Sequence, residues 1–572
     1  MTPQEPILSF RIFSLRRRGR VRGLPGHAGL RLFAYLLTAL VLVPLVAVIV
    51  IAMGSSEGVW PHLVSTVLPR SVRITLLLMA GVAVLSSTMG VVSAWLVTHF
   101  AFPGRRILEV ALVLPFAMPL YIVAFAYIEF LDFTGPLQSA IRAIGGYTSV
   151  REYWSPDVHN LPGAALIMSS VLYPYVYMTT RLLFLMQSVT ALQVAQTLGC
   201  SRFSSFFRIA VPLARPAIAI GVTLCLMETL NDIGAVDFLG IRTLTFSVYD
   251  TWLNRGSLAG AAQIATVMVG FVVLLIVAER AARGRQRYQV ARAERGGQFR
   301  MELNGWRAAG AAFLCAVPPL LGMGIPAFVL IGYALRRLPA FAEPELLAAA
   351  WHSVTVAAAT GTITVIAGLV LAYCARLAAG RLEHVALKVA LIGYAVPGTV
   401  LALGILMPLA RLDNAVDAFM RSTFDLPTGL LITGSAAAIV YACSVRFLAV
   451  AQGTVEAGLA KITSHLDMAA RTLGRTAQQT LIDVHLPLMK KALGAAFLLV
   501  FVDSLKELSA TLLLRPFNYD TLATLVYSRA SRAAYGDAAV PALLIVLVGL
   551  IPVIMLLRSA APPLPQQRGE LP

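Results

Sequence analysis

Twelve long apolar runs dominate the chain and limit what it can fold into. A helix needs about 20 apolar residues to cross the hydrocarbon of a bilayer. The runs cover residues 32–53, 72–100, 107–131, 161–186, 213–235, 259–278, 308–335, 350–375, 386–410, 428–450, 488–514 and 537–557. Only 13% of the residues are charged, and the mean hydropathy is +0.78, whereas soluble domains carry about 25% charged residues. We therefore predict an all-α membrane protein with about twelve transmembrane helices.

The basic residues predict the orientation of these helices. The net charge is +18, but the arginines lie in the N-terminal tail and in short connections between apolar runs, which argues against nucleic-acid binding. Eight arginines and three acidic residues lie between Glu279 and Arg307. Cytoplasmic connections are rich in arginine and lysine. We therefore expect both termini and this linker in the cytoplasm, and an inner-membrane location.

The chain repeats itself at an offset near 275 residues. Ala195, Thr197 and Leu198 match Ala470, Thr472 and Leu473. Further along, Glu228, Leu230, Asp232 and Ala235 match Asp503, Leu505, Glu507 and Ala510. Six spans in each repeat return the chain to its starting side, so the two repeats are parallel. The expected organisation is a basic cytoplasmic tail (1–31), a first six-span membrane unit (32–278), a basic cytoplasmic linker (279–307), a second six-span membrane unit (308–557) and a cytoplasmic C-terminal tail (558–572).

Two loops in the repeats share one pattern. Thirteen residues separate Gly199 from Pro212, and thirteen separate Gly474 from Pro487. Glycine suits the end of a helix and proline suits the first turn of the next. Each loop therefore predicts a short helix, a glycine turn, a second short helix and a new span that opens at the proline. An interfacial helix lying on lipid is the alternative, but two copies with equal spacing favour docking onto a two-fold soluble partner.

Acidic residues recur near the ends of two apolar runs. Glu228 and Asp232 stand four residues apart on one helical face, and Asp503 and Glu507 repeat the pair with Lys506 between them. Ionisable groups inside a membrane usually face a protein interior or a wet cavity. The functional interpretation is an acidic vestibule on the translocation pathway, which attracts or gates a cation. The structural alternative is that Lys506 and nearby hydroxyl groups neutralise the acids and fix helix packing.

Two prolines interrupt corresponding apolar runs. Pro119 and Pro397 occupy matching positions in "LPFAMPLYIVAFAY" and "IGYAVPGTVLALGI". Helix-breaking residues are tolerated in spans where neighbours satisfy the freed backbone groups, often beside a pathway. We assign both prolines to the candidate pathway, and a simple packing kink is the alternative.

The chain carries no phosphate-binding loop for ATP. A Walker A motif places a lysine directly after a glycine, and none of the five lysines follows a glycine. Metalloprotease and serine-hydrolase motifs are also missing. We expect a transport subunit that hydrolyses no ATP, with no catalytic residue, no assignable metal ligand and no cofactor of its own.

The two loops resemble the EAA loop of ABC importer permeases, whose core is Glu-Ala-Ala, three residues, Gly, and then Ile-x-Leu-Pro. The family usually has glutamate where Gln193 and Met468 stand. The resemblance covers about residues 30–557 and implies the MetI-like transmembrane fold, twice. The residues that it assigns to ATPase docking are Gln193, Val194, Ala195, Leu198, Gly199 and Pro212 in the first loop, and Met468, Ala469, Ala470, Leu473, Gly474 and Pro487 in the second.

The phrases "LPGAALIMSSVLYPYVYM" and "DSLKELSATLLLRPFNYDTLATLVY" are similar to those of fused, two-unit permeases of the ferric-iron importer type. That resemblance implies two copies of a cytoplasmic ABC ATPase, which bind ATP and magnesium, and a periplasmic substrate-binding protein. It implies ferric iron as the foremost substrate. Phosphonate (2-aminoethylphosphonate), thiamine, sulfate and polyamine permeases share the architecture and stay open as alternatives.

Two other classes of membrane protein compete with this interpretation. An ion-driven secondary transporter needs no docking loops and usually carries ionisable relays deep in the bilayer, and a membrane scaffold leaves the loops unexplained. The matched loops favour the importer.

Overall fold

A computed structural model describes residues 28–56, 58–186, 201–283, 300–377 and 381–560. The first unit contains six spans, several of them built from consecutive helical pieces. They are span 1 (Ala28–Ala52), span 2 (Val59–His62, Leu63–Val67 and Leu68–His99), span 3 (Arg105–Ala111, Leu114–Ala117 and Leu120–Leu131), span 4 (Leu161–Met186), span 5 (Arg202–Ser205, Phe206–Ala210 and Val211–Asn231) and span 6 (Leu258–Arg283). Shorter helices cover Pro136–Gly145, Val150–Glu152, Gly234–Phe238 and Leu244–Leu253.

The second unit repeats this order. It contains span 7 (Gly305–Pro319, Leu320–Gly324 and Ile325–Arg336), span 8 (Pro344–Leu377), span 9 (Arg381–Ala390, Ile392–Ala395 and Gly398–Phe424), span 10 (Ala437–Ala460), span 11 (Leu486–Leu505) and span 12 (Tyr535–Ala560). Shorter helices are Leu338–Ala342, Ser464–Thr472, Ala477–Thr480, Leu481–His485, Ser509–Leu514 and Leu522–Ser531. Two short parallel strands, Phe100–Ala101 and Met301–Glu302, join the end of span 2 to the start of the second unit.

The prediction of an all-α membrane protein of about twelve helices is confirmed. Among the described residues, eleven helices are long and apolar enough to cross a membrane. Span 11 is the twelfth span and is not among these eleven helices. It has 20 residues and includes Lys490, Lys491 and Asp503, so its charge, and not its length, distinguishes it from the others. Span 4 has the bounds that its apolar run predicts.

Several expected boundaries were wrong. Span 2 begins at Val59 and not at 72, and span 9 ends at Phe424 and not at 410. Spans 5 and 11 end at Asn231 and Leu505, short of the expected 235 and 514. Span 10 begins at Ala437 and not at 428. Residues 428–433 are held as a loop because the carboxylates of Asp413 and Asp417 accept hydrogen bonds from backbone amides there, at 2.8–3.2 Å. Hydropathy alone does not detect such side-chain to backbone bonds.

Four π-helical turns each precede a proline by two residues. They are Leu63–Val67, Phe206–Ala210, Leu320–Gly324 and Leu481–His485, followed by Pro69, Pro212, Pro326 and Pro487. Proline lacks an N–H and clashes with the carbonyl four residues earlier, and a wider turn relieves that clash. Pro212 and Pro487 are the second residues of the helices Val211–Asn231 and Leu486–Leu505, which is the position that the loops predict. Each of these helices continues directly from the π-helical turn before it.

The two units interlock. Span 1 packs against spans 8 and 9 of the second unit, and span 7 packs against spans 2, 3 and 4 of the first. Glycines permit the closest approaches, because a Cβ at Gly404 would overlap the carbonyl oxygen of Pro44, and a Cβ at Gly322 would overlap that of Ser170. The two largest clusters of buried apolar side chains each draw on both units. The units therefore share their core and do not form separate bodies.

Candidate functional site

A small cavity lies where spans 5 and 11 end, between the two units. Its volume is about 100 Å³. Span 5 stops at Asn231 and span 11 at Leu505, and each chain then turns into a short helix. The residues that line the cavity include Phe116, Pro119, Tyr121, Val171, Tyr175, Glu228, Asn231, Asp232, Tyr394, Arg446, Asp503, Lys506, Glu507 and Ser509. The structure thus brings together all five charged residues that the sequence assigned to the pathway.

Many lining residues come in pairs related by the internal repeat. At an offset of 275 residues, Glu228 corresponds to Asp503, and Asp232 to Glu507. Asn231 corresponds to Lys506 by the same offset. A cavity lined by equivalent residues of both units lies near the pseudo-two-fold axis that relates them. This is where a solute passing between the units would meet both.

Glu507 is held by several donors. It is 5% exposed, and its carboxylate accepts hydrogen bonds from the amides of Ala510, at 3.1 and 3.2 Å, and Thr511, at 3.2 Å. The Thr511 hydroxyl donates a further bond of 3.2 Å. Bonds to an ionised acceptor are stronger than neutral ones. The carboxylate caps the helix Ser509–Leu514 and is fixed in place.

Arg446 of span 10 joins the acids of the two units. It is 6% exposed. Its Nη1 donates to Oε1 of Glu507 at 2.7 Å, and its Nη2 lies 3.6 Å from Oε2 of Glu228. The sequence analysis missed this residue, although an arginine within the apolar run "VYACSVRFLAVA" is itself a sign of a functional or paired charge.

The other charged groups have fewer partners. Glu228 accepts a 3.3 Å hydrogen bond from the Tyr394 hydroxyl. Asp232 accepts a 2.6 Å bond from the amide of Ala235, at the start of the short helix after span 5. Both residues line the cavity.

Lys506 also lines the cavity. Its Nζ is 2.9 Å from Oδ1 of Asp503 and 5.2 Å from the centre of the Phe116 ring. Within the described ranges, no three His, Cys, Asp or Glu side chains are arranged to hold a metal ion. Arg446 contacts Glu228 and Glu507, and Lys506 contacts Asp503, so the acids are not a preformed chelate in this conformation.

The two pathway prolines divide their spans. Pro119 precedes the helix Leu120–Leu131 and follows a 3₁₀ turn, and Pro397 has the same position before Gly398–Phe424. Both have extended backbone, with ψ of 142° and 144°. Pro119 lines the cavity, and Pro397 directly precedes Gly398, which contacts Glu507. Both prolines thus position the backbone beside the acids.

The second loop, residues 464–485, has the expected helix, glycine and helix. Gly474 adopts φ of +77° after the helix Ser464–Thr472, and Thr476 caps the helix Ala477–Thr480. Three apolar side chains of this loop are exposed, Leu466 at 41%, Met468 at 52% and Leu473 at 82%. Ala470 is buried and Ala469 is exposed. The first-loop residues Gln193, Val194, Ala195, Leu198 and Gly199 lie outside the described residues.

A polar clamp joins the second loop to the spans. Arg376, near the end of span 8, donates to Oδ2 of Asp467 from Nε at 3.0 Å and from Nη2 at 2.7 Å. It also donates to the carbonyls of Leu459, at 2.8 Å, and Ile462, at 3.0 Å. Nε2 of the buried His485 lies 2.7 Å from Oδ1 of Asp467. Burial lowers the pKa of His485 below its usual value. The charge of Asp467 acts in the opposite direction, but the effect of burial is larger.

An interlocked pair of six-span units, with matched breaks around a polar cavity, defines a membrane transport permease. The family of binding-protein-dependent transport system inner membrane components matches residues 86–287 and 364–561. The chain therefore belongs to this family of ABC transporter permeases and carries its domain twice, as a fused two-unit permease.

Named relatives transport different solutes. An Fe(3+)-transport system permease of Haemophilus influenzae is 26% identical over 85% of this chain and 89% of its own length. A sulfate transport system permease of Escherichia coli is 30% identical over 36% of this chain and 70% of its own length. A molybdenum transport system permease of Escherichia coli is 26% identical over 35% of this chain and 86% of its own. The first aligns with both units, and the others with the length of one.

Proposed function

We propose that this chain is the permease of an ATP-driven importer that receives a cation, ferric iron foremost, from a periplasmic binding protein and releases it into the cytoplasm. The assignment of a cation as the cargo rests on the residues that line the cavity. Four carboxyl groups face two cationic groups there, so a cation meets a net attraction and an anion a net repulsion. Oxygen ligands suit a hard metal ion.

Size also supports a small cargo. A cavity of about 100 Å³ is well below the ~300–1,000 Å³ typical of sites for drug-sized ligands. Thiamine and polyamines are therefore weaker candidates, and sulfate and phosphonate conflict with the charge. The relative that aligns with both units is an Fe(3+)-transport permease, which agrees with a small trivalent cation.

Energy would come from two copies of a cytoplasmic ABC ATPase, which bind ATP and magnesium. The exposed Leu466, Met468 and Leu473 offer an apolar contact on the second loop. The clamp of Arg376 and Asp467 would pass a movement of that loop to spans 8 and 10. The first loop would meet the second ATPase copy. Both loops, and with them both termini, would then lie on the cytoplasmic side.

Uptake into proteoliposomes tests this function. The full chain is reconstituted with its cognate ABC ATPase and periplasmic binding protein, and uptake of radioactive ferric iron, sulfate and molybdate is compared. We expect ATP-dependent iron uptake that needs the binding protein. The double substitution Asp503→Asn with Glu507→Gln should lower it at least tenfold, because two of the four carboxyl groups that line the cavity are lost.

The matched control is Asp425→Asn, an exposed acid at the end of span 9 with φ of +52°. Asparagine tolerates that backbone conformation, so uptake should be unchanged. ATP-dependent uptake of sulfate or molybdate without uptake of iron would contradict the cation assignment. Iron uptake without the ATPase would contradict the importer class.

A further inference from the structure

Arg446 is a charged residue that the shared fold does not require. The residue related to it by the offset of 275 is Val171, which lines the same cavity from the first unit. The equivalent position in span 4 of the first unit is therefore occupied by a valine. A buried arginine costs desolvation energy, so its presence on one side alone calls for a role specific to this cavity.

The contacts of Arg446 resemble those of a bound cation. Its guanidinium lies 2.7 Å from Glu507 and 3.6 Å from Glu228, which belong to different units. Its Nε, among the described residues, is a buried donor without a hydrogen-bond partner. The guanidinium thus lies between two carboxylates, and its Nε donor makes no hydrogen bond to the described residues.

The two carboxylates are held unequally. Backbone amides and the hydroxyl of Thr511 fix Glu507. Within the described part of the chain, the side-chain contacts of Glu228 are the longer ones with Tyr394, at 3.3 Å, and Arg446, at 3.6 Å. Glu228 is therefore the acid that is freer to rearrange around another cation, and its bridge to Arg446 is the easier one to open.

We infer that Arg446 is an internal counter-cation of the acidic cavity, which occupies the space between Glu228 and Glu507 until a cargo cation replaces it. This inference rests on the proposed function and adds its regulation. While Arg446 is in place it offsets part of the charge of Glu228 and Glu507, and no metal site is formed between them. When the units separate, Glu228 moves away from Arg446 and the acids become available to the cargo. Return of Arg446 would then expel the cargo.

Terbium(III) provides a direct test, because it is a hard trivalent ion whose luminescence is sensitised by nearby tyrosine. Tyr121, Tyr175 and Tyr394 line the cavity. The full chain in phosphatidylcholine nanodiscs is titrated with terbium(III), with excitation of tyrosine. We expect Arg446→Gln to bind terbium(III) about tenfold more tightly or better, because a positive charge next to the ligands is removed. Arg446→Lys keeps the charge and should bind like the unaltered protein.

Loss of Arg446 leaves Glu507 buried without its cation, so a second comparison protects the test against misfolding. Arg446→Gln combined with Glu507→Gln should bind terbium(III) about tenfold more tightly than Glu507→Gln alone, because Glu228, Asp232 and Asp503 remain and the counter-cation is gone. Arg411→Gln, which removes an exposed arginine from span 9 outside the cavity, is the matched control and should leave the affinity unchanged.

The outcomes separate the two proposals. Equal affinities with and without Arg446, in both comparisons, would overturn the counter-cation role and leave the cation importer standing. An equal gain in Arg411→Gln would also overturn it, since the effect would then be one of net charge alone. Failure of every variant to give sensitised luminescence would overturn both the counter-cation and the cation assignment, whereas tighter binding on loss of Arg446 alone supports the inference.

Discussion

The side chain of Asn231 accepts a 2.7 Å hydrogen bond from the backbone amide of Gly398, which joins the end of span 5 in the first unit to the start of a helix in the second. The hydroxyl of Ser509 donates a 2.9 Å bond to the backbone carbonyl of the same asparagine. The broken ends of the spans are thus tied to one another across the unit interface. The first N–H groups of a helix have no partner within the helix and therefore need such an acceptor.

Close packing at Gly398 predicts that this interface does not accept a larger residue. A Cβ there would meet Oε1 of Glu507 at 2.8 Å and Cβ of Ser509 at 3.0 Å. We expect Gly398→Ala to lower the free energy of unfolding by about 1–3 kcal/mol, the usual cost of overpacking. Thermal unfolding in detergent measures the change. Gly494→Ala is the control, because nothing lies within 4 Å of its added Cβ; equal effects of the two substitutions would contradict the interface argument.

The clamp at the second loop predicts a strong effect of Arg376. Arg376→Ala leaves Asp467 without two hydrogen bonds and frees the carbonyls of Leu459 and Ile462. We expect a loss of about 2 kcal/mol, less than the ~3–5 kcal/mol of a fully buried pair, since both side chains are about one-fifth exposed. Unfolding midpoints measure the loss, and ATPase activity of the reconstituted complex should become uncoupled from transport.

Arg475→Ala is the matched control for the clamp. Its ion pair with Asp483 lies on the same loop, but both side chains are about half exposed. Exposed pairs contribute ~0–1 kcal/mol, so stability should change little. A loss as large as that of Arg376→Ala would show that the loop tolerates no arginine change and that the clamp has no special role.

The exposed apolar residues of the second loop predict its docking contact. Leu473 is 82% exposed, and a carboxylate in its place would have to be desolvated against an apolar partner surface. We expect Leu473→Asp to abolish co-purification of the ATPase while leaving the unfolding temperature unchanged. Leu430→Asp replaces another exposed leucine, 55% exposed, in the connection before span 10, and should co-purify normally. Retention of the ATPase by Leu473→Asp would place docking elsewhere.

The buried His485 predicts a loss of stability on mild acidification. Its folded pKa lies below the usual value near 6.5, chiefly because of burial. The unfolded chain then binds the proton more readily, so this contribution is complete above pH ~6.5 and is lost as the pH falls through the lower folded pKa. Unfolding midpoints at pH 7.5 and 5.5 measure the loss. His485→Gln should show a smaller difference between the two pH values, and an unchanged difference would exclude the histidine as its source.

Repetition in the sequence predicted much of the candidate site. Glu228 and Asp503, and Asp232 and Glu507, were paired by their common offset, and they do line one cavity. The prolines were also correctly matched as breaks. Arg446 was missed because its repeat partner is Val171, so the comparison of the two units that revealed the acids could not reveal it.

Specific side-chain contacts explain why the end of span 5 and the start of span 10 were predicted wrongly. The end of span 5 at Asn231 depends on the bond that its side chain makes with Gly398, a residue 167 positions away. The late start of span 10 depends on Asp413 and Asp417, whose side chains hold the preceding loop. Apolar runs continue through both places, so periodicity and hydropathy could not show where the helices stop.

The sequence by itself determined the membrane class, the number of spans and the duplication, because those depend on the length of apolar runs and on similarity along one chain. The tertiary structure alone decided which charges neutralise one another. Whether Glu228 meets Arg446 depends on how the two units interlock, and the interlocking follows from packing between residues far apart in the chain. Inside a membrane, that pairing decides whether four acids are a structural network or a site for a cation.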